Sequence, residues 1–310
     1  MTTIAGAPEV VASDRDETSM VRRAHRVRPQ PVASTALCAM MSVMLSFALP
    51  VAAAELERTG GPFVPTPKIV VDEMLRAGSV GADDFVIDLG SGDGIIVLTA
   101  ARERKASGMG FDIDPELVKH SNAEAKRLGI ADRASFVVQD VFKADLSKAS
   151  VITLYLLPSM MTNLRSKIYL EARPGTRVVS HDYTFEEWQP DDEIVLDVPE
   201  KANINGVPQA TINLWIVPAK VAGRWRVELD RGEAYEVTLR QNYQVLDGSA
   251  NVKGKVLTMS AGRLRGEDVT FAFNDGSVRR QFKGTASGDS MRGSVELGGG
   301  RSERWTAKRS

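Results

Sequence analysis

The run Asp88-Leu89-Gly90-Ser91-Gly92-Asp93-Gly94 sets three glycines among two carboxylates, directly after the apolar stretch Phe85-Val86-Ile87. Glycines there let the chain turn sharply and let a ligand approach the backbone with no Cβ in the way. A helix beginning at Ile95 would also turn free N–H groups and a partial positive charge toward a ligand carboxylate. Three uses compete for such a loop: a plain structural turn, a dinucleotide site, or a site for a cationic nucleoside. A nicotinamide fingerprint spaces its glycines G-x-G-x-x-G, and here the third comes one residue early. Asp88 and Asp93 surround the loop with negative charge, and no Lys or Arg follows until Arg102. That field is poor for a pyrophosphate and suits a ligand carrying an ammonium and a sulfonium.

Two further acids fall at matching places. Asp112 follows Met109-Gly110-Phe111, 18 positions after Gly94, where a carboxylate can accept both hydroxyls of a ribose. Asp114, the near competitor, stands before Pro115 and suits a helix N-cap better. Asp140 ends Val137-Val138-Gln139 and can hold an adenine amino group, with Val141 and Phe142 flanking the ring. Taken alone, Asp140 reads as a turn residue; taken with Asp88 and Asp112 at equivalent strand ends, it reads as a ligand.

The elements that must position these groups alternate. Thr66 before Pro67 opens a helix over residues 68–77 that buries Ile69, Val70, Met74 and Leu75 and stops at Gly78. Strands follow at 85–89, 109–112, 134–138, 150–157 and 177–182, with helices at 95–105, 115–128 and 160–172 between them. Near-continuous apolar strands separated by helices predict a doubly wound parallel sheet, with the acids along its carboxyl edge. Residues 194–198 and 210–217 read as consecutive strands, an antiparallel finish. From Val221 the texture changes: Tyr235, Val237 and Leu239 alternate with Glu236, Thr238 and Arg240, and Phe271 and Phe273 precede the hairpin signal Asn274-Asp275-Gly276. The fold class is therefore α/β, a Rossmann-like domain over 61–219, with an antiparallel all-β barrel or sandwich over 221–310.

Ahead of both lies a different kind of segment. Arg22, Arg23, Arg26 and Arg28 precede an uncharged span from Pro29 to Ala54 that ends in Ala52-Ala53-Ala54. Basic region, apolar core and small residues are the layout of a secretory signal, and the span also approaches the ~20 residues that cross a bilayer. Residues 1–54 are thus expected to be a disordered start plus a signal peptide or an anchor through 31–54, making the protein exported or membrane-attached; a misassigned start would leave it cytoplasmic. A net charge of −1 argues against a dedicated nucleic-acid binder. One cysteine and three histidines without ligand spacing predict neither disulfides nor a bound metal.

In order and spacing, Asp88 to Gly94, Asp112 and Asp140 resemble the motifs of class I S-adenosylmethionine-dependent methyltransferases. More narrowly, the chain is similar to the ATP synthase c-subunit lysine methyltransferase family and its bacterial relatives. The likeness runs through Pro62-Phe63-Val64-Pro65, residues 110–115, Asp140-Val141-Phe142-Lys143, Pro158-Ser159-Met160-Met161, residues 174–179 and residues 185–191. It covers residues 61–192. The resemblance implies S-adenosyl-L-methionine as cofactor, held by Asp88, Gly90, Ser91, Gly92, Asp93, Gly94, Asp112, Asp140 and Val141, and a protein partner with an accessible lysine.

Methyl transfer to an amine asks for alignment, a dry site and loss of the ammonium proton more than for a catalytic triad. The acceptor pocket is expected beyond Tyr155-Leu156-Leu157-Pro158, which is not the Asn/Asp-Pro-Pro-Tyr motif of amide and exocyclic-amine methyltransferases. Tyr155 can accept a hydrogen bond from the amine or only pack; His181 can act as general base or hold a structural hydrogen bond; Trp188 can wall the site or pack. Two other readings stay open, a small-molecule methyltransferase and a non-catalytic binding protein. An exported enzyme would lack an obvious supply of its cofactor.

Overall fold

The computed structural model describes residues 61–276 and 278–310, so the expected leader or anchor within 1–54 lies outside the described residues. Among the described residues, no helix is long and apolar enough to cross a membrane.

Helix α1, Lys68–Ala77, leads into strand β1, Phe85–Leu89, and then α2, Ile95–Glu103; β2, Ser107–Asp112; α3, Pro115–Arg127; and β3, Ala134–Val138. Strand β4, Val151–Leu154, is followed by α4, Pro158–Glu171; β5, Arg177–His181; β6, Asp192–Asp197; and β7, Gln209–Ile216. The seven strands lie in the order β3-β2-β1-β4-β5-β7-β6, with β7 antiparallel to both β5 and β6. Because β1 pairs with β2 on one side and β4 on the other, the strand order reverses beside the loop that follows β1. Ligands bind at the carboxyl edge of such a reversal.

Period-two alternation feeds both faces of the sheet. Val86, Val151 and Val179 join the core under α1 and α2, while their neighbours Ile87, Ile152 and Val178 join the core under α4. Helix α1 buries Val70, Val71, Met74 and Leu75, whereas Ile69, expected inside, is half exposed at 51%. Val71 takes its place in the core, while Val70, Met74 and Leu75 are buried as expected. The N-cap of α1 falls on Pro67 rather than Thr66, because the Val70 and Val71 N–H groups donate to the Pro67 carbonyl at 2.9 and 3.1 Å. Strand β4 is also shorter than the apolar run 150–157 suggests: Tyr155-Leu156-Leu157 leave the sheet and pass over the site.

The remaining strands close on themselves. Strands β8 (Gly223–Leu229), β9 (Ala234–Asn242), β10 (Val245–Val252), β11 (Lys255–Arg265), β12 (Asp268–Asp275), β13 (Val278–Ser287), β14 (Ser290–Glu296) and β15 (Ser302–Arg309) form an antiparallel barrel, sealed by β8 against β15. This resolves the choice between barrel and sandwich. Tyr235, Phe271, Phe273, Phe282 and Trp305 fill the interior with mostly edge-to-face ring contacts, centroids 4.8–6.0 Å apart. The inward-facing residues Tyr235, Val237 and Leu239 are buried and the residues between them exposed, as their alternation predicts.

Candidate active site

The loop after β1 is fastened to the end of β2. The Gly90 and Ser91 N–H groups donate to the Phe111 carbonyl at 2.8 and 3.0 Å, and the Gly92 N–H donates to Asp112 Oδ2 at 2.8 Å. Asp112 Oδ1 accepts from the Asp114 N–H at 2.9 Å. A carboxylate offers about four lone-pair sites, so two remain for hydroxyls of a ligand. Asp114 caps α3, accepting from the Glu116 N–H at 2.8 Å, which separates the roles of the two acids.

Asp88 ends β1 fully inside, 2% exposed, and accepts a hydrogen bond from Thr153 Oγ1 on β4 at 2.6 Å. Burial pushes its carboxyl up to about 7; the Thr153 bond pulls the other way, and the nearby carboxylates of Asp112 and Asp93 add to the rise. Ser91 is buried with its hydroxyl unpartnered among protein atoms. Asp140 begins a turn of 3-10 helix, Val141–Lys143, and accepts from the Phe142 N–H through Oδ1 at 2.9 Å, leaving Oδ2 available.

Two residues sit differently from expectation. Asp93 caps α2 by accepting from the Ile95 N–H through Oδ1 at 3.2 Å and lines an outer groove with Lys68, Thr99, His120 and Glu124. Val141 points into the core at 6% exposure, and Phe142, 39% exposed, is the side chain left at the rim.

Glycine is required at Gly92 and Gly94. Gly92 has φ +52°, and a Cβ there would meet the Phe63 ring at 2.5 Å, so the Pro62-Phe63-Val64-Pro65 segment lies directly over the loop. Gly94 has φ +80°, and its Cβ would meet the buried Phe136 ring at 2.7 Å and Ser121 at 2.9 Å. Phe63 is half exposed and can swing away, whereas Phe136 cannot. Gly94→Ala is therefore expected to cost about 2–4 kcal/mol, a left-handed backbone penalty plus overpacking. Gly92→Ala should cost about 1–2 kcal/mol, the backbone penalty alone. Equal losses in urea unfolding would refute the distinction.

Across β4 lies a second group of side chains. Tyr155 stacks on His181 with centroids 4.0 Å apart, and Tyr183 flanks it at 6.3 Å. Burial first, then the charge of Asp182, pushes the Tyr155 phenol up to about 12, so it stays protonated. His181 is 1% exposed, and neither ring nitrogen has a hydrogen-bond partner. Burial lowers its pKa to about 4, against the pull of Asp182. The neutral imidazole is covered by Tyr155, and its Nε2 lies 3.6 Å from Asp182 Oδ2, outside hydrogen-bond range. Trp188 is buried and packs, as does Phe185.

Asp182 adopts φ +65° at the end of β5 and accepts from Lys201 Nζ at 2.7 and 2.5 Å; Lys201 also reaches the Gln209 carbonyl at 2.6 Å. This ion pair clips the connection between β6 and β7 onto the end of β5. Sequence reasoning missed it, along with Thr153, because each acts across a long separation with no local signature; Phe63 stood among the family-like residues, with no role assigned.

Residues 88–192 match the ANTKMT methyltransferase domain family. A protein-lysine N-methyltransferase of Saccharolobus islandicus is 38% identical over 157 residues, covering 50% of this chain and 93% of that protein. The ATP synthase c-subunit lysine N-methyltransferase of Mus musculus is 35% identical over 130 residues, 42% of this chain and 52% of the mouse protein. Among solved structures, an RNA methyltransferase from Salinibacter ruber in complex with S-adenosyl-L-homocysteine shares 44% identity, covering 51% of this chain and 96% of that one, with a TM-score of 0.47.

Proposed function

The chain belongs to the family of protein-lysine N-methyltransferases, and from that premise we propose that it transfers methyl groups from S-adenosyl-L-methionine to a lysine amine of a protein. The observation that carries the reading is Asp112 clamped to the Gly92 N–H beside buried Asp88, at the point where the strand order reverses.

The donor set fits the cofactor's chemistry. Asp112 keeps lone pairs for the ribose hydroxyls, Asp140 Oδ2 accepts from the adenine amino group, and Phe142 lies at the rim to cover the base. Gly90, Gly92 and Gly94 keep the backbone open, the Ser91 hydroxyl is free to donate, and Asp88 and Asp93 favour a cationic ligand. When bound, the cofactor supplies an electrophilic methyl carbon that an amine can take from sulfur. The protein's own work is to align the amine and keep water away. Half-buried Tyr155 and its neighbour Tyr183 offer aromatic surface to the aliphatic lysine chain, and the Tyr155 oxygen can accept a hydrogen bond from the amine. His181 supports Tyr155 from beneath.

Tritiated methyl transfer to a whole lysate tests the reading, with Asp112→Ala as control. Label in protein that survives as methyl-lysine after acid hydrolysis is the expected result. Label only in extractable metabolites, only in nucleic acid, or nowhere despite cofactor uptake would overturn the lysine assignment. The proposal extends to residues 22–54 as a leader or anchor; a C-terminal tag appearing in the soluble cytosolic fraction at full length would contradict that part.

A further inference from the structure

The family match ends at residue 192, before the barrel begins, so the family itself does not account for residues 221–310. The barrel nevertheless grips one particular part of the sheet domain. Its β9–β10 turn, Tyr243-Gln244, reaches the segment 182–191 that runs from β5 to β6. The Tyr243 ring stacks on Trp188 with centroids 5.2 Å apart and planes within 5°, and meets Tyr169 of α4 edge-on at 5.1 Å. Gln244, 3% exposed, donates through Nε2 to the Gln189 carbonyl at 2.7 Å. Arg263 of β11 pairs with Asp191 at 2.6 Å, and the Asp191 side chain is 0% exposed. Its other oxygen accepts from the Ile216 N–H at 2.8 Å.

The gripped segment carries Asp182 and Tyr183, which stand on the acceptor side with Tyr155. It has little regular structure, a single bridge between Phe185 and Trp188, and two of its non-glycine residues, Asp182 and Glu186, hold left-handed φ of +65° and +56°. Such backbone persists only when its surroundings over-determine it. From the sheet domain the segment receives Arg165 Nη1 on the Phe185 carbonyl at 2.9 Å and Trp215 Nε1 on the Trp188 carbonyl at 2.7 Å. The sheet domain also holds both ends, through Lys201 and Thr211 on Asp182 and through the Leu214 carbonyl and the Ile216 N–H on Asp191. The barrel adds the stack on Trp188, the Gln244 bond to Gln189 and the Arg263 pair on Asp191. The turn that delivers them is itself pinned: Gln241 Nε2 donates to the Tyr243 and Ala219 carbonyls, each at 2.8 Å.

We infer that the barrel is a brace for the acceptor side of the active site, with Tyr243, Gln244 and Arg263 as positioning residues that fix segment 182–191 through Trp188, Gln189 and Asp191. The inference rests on the methyltransferase reading above for what the segment does, but not for how it is held. The cofactor loop 90–94 is fastened by β2 instead, through Phe111 and Asp112. Loosening the brace must therefore impair use of the acceptor and spare the cofactor.

The test uses the full chain with Tyr243→Ala, Tyr243→Phe and Arg263→Ala. Amide hydrogen exchange of 182–191 is expected to quicken at least tenfold in Tyr243→Ala and Arg263→Ala, with 90–94 unchanged and adenosylmethionine Kd within twofold of wild type. With poly-L-lysine as acceptor, kcat/KM for the acceptor should fall at least tenfold while KM for the cofactor holds, and Tyr243→Phe should restore both readouts. Unchanged exchange at 182–191 overturns the brace. So does loosening of 90–94 together with 182–191, which is the signature of general destabilisation. Wild-type protein that takes up cofactor but methylates no protein, with the exchange pattern as described, overturns the lysine reading and leaves the brace standing.

Discussion

Replacing Asp112 with alanine is expected to weaken adenosylmethionine binding about 100-fold or more, read by calorimetry on the folded variant. The side chain does two jobs in one place. Its oxygens accept from the Gly92 and Asp114 N–H groups at 2.8 and 2.9 Å, and its remaining lone pairs face the ligand's ribose in the proposed complex. Hydrogen bonds to a charged group contribute about 1.5–3 kcal/mol each, and losing two toward the ligand corresponds to roughly 100-fold at the low end of that range. Loss of the Gly92 clamp adds to this, because the loop must then be ordered by the ligand itself. Asp112→Asn separates the jobs. An amide presents one oxygen and one NH2, so it can serve one of the two backbone donors and turns a donor toward the other. Its affinity should fall between wild type and alanine, with a melting temperature below wild type. If Asp112→Ala binds cofactor within threefold of wild type while melting lower, Asp112 is only a loop clamp and the ribose assignment fails.

The parts of the site legible in the sequence share a physical reason. Asp88, Asp112 and Asp140 each follow a short apolar run at the end of a parallel strand, and doubly wound topology brings all such ends to one edge. The bounds of β1 and β3 can be read directly because apolar runs there stop where the sheet stops. Beyond β4 the same cue fails: Leu156 and Leu157 leave the strand and pack against Gly90 and Gly61 instead of continuing the sheet. Leu156 lies where a Cβ on Gly90 would fall, a contact no periodicity announces.

Pairing between distant positions is what the sequence hides. Thr153 and Asp88 meet because β1 and β4 are neighbours in register, and Lys201 finds Asp182 because β7 returns antiparallel beside β5. Barrel and sandwich look alike in sequence for the same reason, since only the pairing of β8 with β15 across the full length of the domain closes the sheet. His181 shows the limit of residue type as a cue. A histidine at a strand end invites assignment as a base, but burial beneath Tyr155 leaves it neutral and covered.

Asp88 gives the other large effect, and its sign is unusual for a carboxylate. Its folded pKa of about 7 lies above the ~3.9 of an unfolded aspartate. Between those values the native state binds more protons than the unfolded one, so stability falls as pH rises from about 4 to about 7 and is flat above. A shift of about three units corresponds to at most ~4 kcal/mol, the burden of an ionised carboxylate buried beside Thr153, Asp112 and Asp93. Asp88→Asn keeps an oxygen to accept from Thr153 and carries no charge. The variant should therefore be more stable than wild type at pH 8, by up to about 4 kcal/mol, and indistinguishable near pH 4. The native carboxylate persists against this cost because a cationic ligand profits from it. Wild-type affinity for adenosylmethionine should accordingly rise from pH 6 to pH 8, with proton release measurable in buffers of different ionisation enthalpy, and the Asp88→Asn protein should lose both the rise and the released proton. A variant no more stable than wild type at pH 8 that retains the same pH slope would show that Asp88 is neither the buried burden nor the source of the field, and the electrostatic account of cofactor selection would have to move to other carboxylates.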